Sequence, residues 1–435
     1  MGGTHTLLTP TMIAKEALRL LKNNLVMGAL VYRDYESEFP GMPKKGGSVQ
    51  IRKPVKFKVS KTRVRVTSTI TEQYITLDVS TQAHVSWAFH MVDLTLSIEQ
   101  YSERYLRSAA AALANQVDAD LCGLYVDVPN QIYESTGFVT PHSFTVLGRA
   151  MQRMDEEAVP PDDRTIVFNP AAHWTMANAL SNWNFKEGGE QALRKGYLGR
   201  VANAQIYMDQ NVKVHTVGTW ATDSDAMSSA SRFKVHTTAD SGAGGGLPTG
   251  NAVAVSQNQK IMLDGFNAAT TVTVLAKGDT FTLAGCYAVN PMSGESTGEL
   301  RQFVVTTAAS QAVTVSTVEG YTIPEFYPEM IHTGPYKTVD TIPQLEAAVQ
   351  VMGVPAEPYP QNMAFHKNAF ALCMVPLEVP DAPVWSGSAT EDGYSIRIVK
   401  QYEIGEDDEI VRLDILYGLK TIYPELAVRI MGAQG

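Results

Sequence analysis

In the stretch YITLDVSTQAHVSWAFHM apolar side chains hold alternate positions at Ile75, Leu77, Val79, Ala83, Val85, Trp87 and Phe89, and beyond it the period changes. Successive side chains of an extended chain point to opposite faces, so the alternation predicts one long, half-buried strand. Downstream, Ser97 and Gln100 form a capping box. Leu106, Ala110, Leu113, Val117, Leu121 and Leu124 then recur every three or four residues, which predicts a helix over Ser97–Val126. At 1.5 Å rise per residue this helix would run roughly 40 Å, a spine longer than most globular helices.

Upstream lies PKKGGSVQIRKPVKFKVSKTRVRV, Pro43–Val66, with nine basic side chains and no acid in a chain of net charge -10. Val49, Ile51, Val55, Phe57 and Val59 hold odd positions, whereas Val64 and Val66 hold even ones. A change of parity near Ser60 is what a hairpin turn or bulge produces, so Val49–Val66 reads as a two-stranded ribbon. Phe57 is its single aromatic, which leaves no stacking platform for bases, and the alternation with β-branched residues differs from a disordered basic arm. A protein surface is favoured over nucleic acid or a membrane. Residues 39–71 carry +9, so the rest of the chain carries -19, and the natural polyanion is another copy of the same chain. Arg52, Lys53, Lys56, Lys58, Lys61, Arg63 and Arg65 are the candidate intersubunit contacts. Before the ribbon, residues 9–24 predict a short amphipathic helix with Thr11 as N-cap and Ile13, Ala17, Leu20 and Leu21 on its apolar stripe.

A chain of 435 residues exceeds one ordinary core, so several domains are expected. Residues 145–215 alternate helices (VLGRAMQRMDEE, AAHWTMANAL) with short strands (RTIVFNP, IYMDQNV), as an α/β domain does. From 219 to about 357 the composition turns to Thr, Ser, Gly and Val, with short strands, which predicts an all-β insert. Strands return at FALCMVPLEV, YSIRIVKQYEI, EIVRLDILYGLKTIY and ELAVRIM. No apolar run of about 18 residues is present, and the start of the chain has no signal-peptide pattern. Cys122, Cys286 and Cys373 lack CxxC spacing and read as small buried hydrophobes.

Motifs suggestive of catalysis lack their partners. GGLPTG, residues 245–250, is followed by Asn251 and Ala252 where a phosphate loop needs Lys and Ser or Thr. GESTG, residues 294–298, precedes a strand and not the helix of a nucleophile elbow, so it reads as a hairpin turn. The histidines, His173 and His366 included, show no metal-ligand spacing, and the acids Asp155, Glu156 and Glu157 read as solvated surface. No catalytic, metal or cofactor residue is expected.

The order arm, basic ribbon, long strand, spine helix and α/β domain resembles the major capsid fold of tailed bacteriophages. The chain is more closely similar to the gene-five coat protein family of short-tailed, lambdoid-type phages. The likeness is carried by NPAAHWTMANALSN and ALRKGYLGRVANAQIYMDQNVKVHTVG, by LAKGDTFTLAGCYAVNP and GELRQFVVT, and by GYSIRIVKQYEIGEDDEIVRLDILYGLKTIYPELAVRI. It implies an α+β protein: an arm at 1–42, an extended loop at 43–73, a peripheral domain at 74–130, an axial domain at 131–218 and 358–435, and an inserted β-barrel at 219–357. It further implies a virion shell assembled in the bacterial cytoplasm from pentamers and hexamers, on a scaffolding protein and with a portal protein, around double-stranded DNA. No cofactor and no membrane belong to this picture. The insert would help the chain fold and set shell size, and the first helix would touch scaffolding. The competing readings are a glycan-active enzyme and a phage-tail or adhesin β protein.

Overall fold

The computed structural model of the protein describes residues 10–33, 47–57, 61, 63, 65, 72–90, 105–133, 141–181, 198–219, 234–235, 259–261, 263–264, 273–310, 322–344, 347–380, 385–405 and 408–432. The chain divides into two compact units. The first joins residues 1–53, 73–122 and 370–422; the second joins 54–72, 123–369 and 423–435.

The first unit is organised by the strand Asp408–Thr421, which pairs antiparallel with Thr81–His90, Tyr394–Glu403 and Phe370–Met374. Val411, Leu413, Ile415 and Tyr417 are buried at alternate positions along it, the spacing that gives a strand one apolar face. The helix Arg107–Cys122 buries Ala110, Leu113, Val117 and Leu121, as their spacing requires. It ends earlier than the sequence predicts, because at Gly123 the chain tightens into a 3₁₀ turn in which Tyr125, and not Leu124, is buried. The Ser97 and Gln100 capping box lies outside the described residues.

Two other expectations for this unit need correction. The single strand over 75–89 is two, Tyr74–Asp78 and Thr81–His90, broken at Val79 and Ser80. The first helix runs Pro10–Asn24, so Thr11 lies inside it and is not its cap. Proline suits the first helical position because an N–H there has no helical partner to lose. Its buried stripe is Ala14, Ala17, Leu18 and Leu21, packed against Arg107–Cys122 and the hairpin strands Trp385–Glu391 and Tyr394–Glu403.

Besides the short pairs Leu263–Asp264 with Lys234–Val235 and Thr273–Leu275 with Ala309–Ser310, the second unit contains two larger sheets. One is a mixed sheet in the order Gln131–Tyr133, Ala427–Met431, Pro358–His366, Arg164–Phe168, Ala204–Met208 and Arg200–Val201, with Val214–Thr216 pairing the start of Pro358–His366. The helices Phe144–Glu156 and Pro170–Ser181 cover it through Val146, Leu147, Met154, Ala172 and Met176, against Ile166, Phe168, Ala364, Val428 and Ile430. The other is a five-stranded antiparallel sheet that includes Thr280–Val289 and Ser296–Thr307. Phe281, Phe303 and Phe326 meet at its centre, with ring centroids 5.3–5.9 Å apart. All regular structure described between 234 and 351 is strand.

Candidate assembly surface

The basic segment begins on a ribbon, but its second strand is not the one expected. Ser48–Arg52 pairs antiparallel with Tyr74–Asp78, from Ser48 opposite Asp78 to Arg52 opposite Tyr74. Alternation told which face Val49 and Ile51 occupy, not which strand they meet; the partner proves to be the apolar YITLD and not the second half of the cationic run. Ile51 lies opposite Ile75 and Val49 opposite Leu77, so apolar cross-strand pairs hold the ribbon together. Its root is seated on the Asp408–Thr421 strand at Gly418, where any side chain would collide with the Asp78 carbonyl.

The cationic residues follow this root along the chain. Arg52 is exposed at the end of its strand, and Lys53, half-buried, donates its N–H to the Gln73 carbonyl at 2.8 Å. In the second unit Lys56, Lys61, Arg63 and Arg65 are all exposed, and the Lys56 N–H reaches the Tyr336 hydroxyl at 3.4 Å. Phe57 between them is 66% exposed, a large apolar side chain presented amid cations. Lys58 and the parity change near Ser60 lie outside the described residues.

The acids at the end of the helix Phe144–Glu156 are not a uniform solvated patch. Asp155 pairs with Arg164 at 2.7 Å and Glu156 with Arg153 at 3.1 Å, while Glu157 is buried against Arg301 at 2.5 Å. Arg301 is 144 residues away, so sequence spacing could not reveal the pair. Next to it the Tyr327 hydroxyl donates to Glu425, and burial followed by the charge of Glu425 pushes that phenol well above its usual range.

The remaining candidate chemistry does not assemble. Among the described residues no group of three or more His, Cys, Asp or Glu could hold a metal ion. Cys122, Cys286 and Cys373 are buried and form no disulfide among the described residues, and burial pushes the Cys286 thiol up to about 12, away from the reactive thiolate. GESTG is a turn and strand start, in which Gly294 and Gly298 take positive φ and the Ser296 Oγ accepts the Gly298 N–H at 3.3 Å. GGLPTG lies outside the described residues. No described helix is long and apolar enough to cross a membrane.

The described residues thus define a mixed α/β protein whose cationic segment starts on a two-stranded ribbon. The family model for "P22 coat protein - gene protein 5" matches residues 4–432, and the chain belongs to that family: it is a bacteriophage major capsid protein. The role of that family is structural, and neither the glycan-active nor the tail-adhesin reading is supported. No curated protein matches the chain. Among solved structures, one from Mycobacterium phage Che8 is 13% identical, with 93% of this chain and 90% of that chain covered at a TM-score of 0.47. The capsid of Ralstonia phage GP4 is 9% identical, with 90% and 85% covered at 0.44. The capsid of Helicobacter pylori bacteriophage KHP30 is also 9% identical, with 100% and 93% covered at 0.41.

Proposed function

We propose that copies of this protein form the pentamers and hexamers of an icosahedral shell around double-stranded DNA, and that Arg52, Lys53, Lys56, Lys58, Lys61, Arg63 and Arg65 grip acidic surface on the next copy. The shell would begin as a procapsid on a scaffolding protein, with a portal protein at one vertex, in the cytoplasm of a bacterial host, and expand on maturation. Residues 219–357 would be an inserted β-barrel module interrupting the axial domain.

The observation that carries the reading is the exposure of the cationic run in a chain whose remainder is strongly acidic. A single exposed pair contributes only about 0.2–1 kcal/mol, and salt weakens it. Repeated on every subunit, such pairs set register while letting wrong contacts dissociate. Changing Lys61, Arg63 and Arg65 together to Glu should abolish closed particles or displace their salt dependence, as seen by electron microscopy and sedimentation. Particles of normal size and salt sensitivity would sink the assignment.

A further inference from the structure

Between the two apolar cores of the second unit runs a polar seam. On the strand Ala427–Met431, Val428 and Ile430 join the helix-side core, so alternation turns Arg429 to the opposite face, where it is fully buried. Its Nη1 donates to the Gly278 carbonyl at 2.8 Å, and its guanidinium lies 5.8 Å from the Tyr125 ring centroid. Gln131, on the neighbouring strand, gives its backbone N–H to Gln302 Oε1 at 2.6 Å and receives Gln302 Nε2 on its carbonyl at 2.8 Å. The Thr280 hydroxyl donates to the Gln131 side chain. Asp279 accepts the Gly218 N–H at 3.0 Å and bonds His215 Nε2 at 2.8 Å. The Tyr125 hydroxyl lies 3.1 Å from His215 Nδ1, so one imidazole links Asp279 to Tyr125. The buried Arg301 and Glu157 pair continues the same line.

Each of these bonds has a side chain as donor or acceptor, and none belongs to a sheet ladder. The seam is also incompletely satisfied. Arg429 Nε and Nη2, Arg301 Nε and Arg153 Nη2 are buried and find no acceptor among the described residues. A buried donor without a partner disfavours the closed arrangement, and access of water removes that cost. Apolar contact also spans the seam: Val217 and Tyr359, at the crossing segments, and Met431, on the strand that carries Arg429, pack into the five-stranded core. There the Val217 N–H bonds the Glu357 carbonyl, and Gly353 (φ +102°) sits where a Cβ would come within 2.9 Å of Val217 Cγ2. We infer that the seam is a joint: the β module built on Thr280–Val289 and Ser296–Thr307 parts from the mixed sheet along it, pivoting on these crossing segments, while both cores remain folded.

The Gly218 and Gln131 amides report on the joint because each is bonded to a side chain of the β module, Gly218 from the crossing segment and Gln131 from the mixed sheet. In hydrogen exchange of the full-length, unassembled chain in low urea, both should exchange faster than strand amides at 281–283, 303–305, 165–168 and 428–430. Asp279→Asn should speed Gly218 at least tenfold and leave those core amides unchanged. A single common rate for all these amides in the parent chain would overturn the joint, as would an equal acceleration of the cores in the variant. An unchanged Gly218 rate in the variant would remove Asp279 as its clasp.

Discussion

Asp414 in the first unit and Arg429 in the second are both fully buried charges, but their surroundings differ in kind. Arg397 reaches one Asp414 oxygen through Nη2 at 2.7 Å and Nε at 3.2 Å; Arg412 Nε meets the other at 2.6 Å, where Gln82 Nε2 also donates at 3.3 Å. Burial alone would push this carboxyl up, yet the hydrogen bonds from Arg397 and Arg412 outweigh it and hold the group below its usual range. Among the described residues Arg429 bonds no carboxylate. Burial lowers its pKa to about 10, against the opposing pull of Tyr125, Asp279 and Asp127. Both groups stay ionised near neutrality, but one network is closed and the other open. A closed network fixes the strands that carry it, whereas an open one leaves a plane along which structure can part.

The largest expected effect comes from opening the closed network. Asp414→Ala leaves two guanidinium groups without their shared carboxylate and should lower the unfolding free energy by about 3 kcal/mol in urea denaturation. A loss below about 1 kcal/mol would mean that Arg397 and Arg412, 16% and 40% exposed, simply turn to solvent, and the contrast would fail.

Closing the open network should do much less. Arg429→Met keeps an unbranched side chain, removes the unpartnered donors and gives up the bonds to Gly278 and Gln361. Replacing buried charge by apolar volume is often neutral or stabilising, so the unfolding free energy should stay within about 1 kcal/mol of the parent or rise. A fall as large as that of Asp414→Ala would show that Arg429 is a keystone of its unit.

What was legible in the sequence divides along the same line. Period told correctly that Leu113 and Val117 share the buried face of a helix, and local context that GESTG is a turn, because each depends on neighbours in the chain. It could not supply partners. The strand opposite Val49 and Ile51, the arginine beside Glu157 and the carboxylate clasping Gly218 are chosen by tertiary packing over separations of tens to more than a hundred residues. The candidate surface sits between these cases. Exposure of Lys56, Lys61, Arg63 and Arg65 follows from charge, since solvation keeps unpaired cations outside, but the root that presents the ribbon needed the fold.

Acid gives the finest comparison of the two units. His366, in the second, is buried; burial first, then the Arg164 charge, lowers its pKa from the usual 6.5 against the pull of Asp163. A depressed folded pKa means that the unfolded chain takes up the proton first. Stability is therefore intact above pH 6.5 and declines as pH falls from there through the folded value. Asp414 is also depressed, but from 3.8, so the stability it contributes is kept at mildly acidic pH and lost only below that point. Between pH 7.5 and 5.5 the His366 contribution should thus fall while that of Asp414 holds. His366→Gln should reduce the shift in urea midpoint over this interval, and Asp414→Asn should leave that shift as in the parent while lowering the midpoint at both pH values. An unchanged shift in His366→Gln would remove His366 as the source of the acid response.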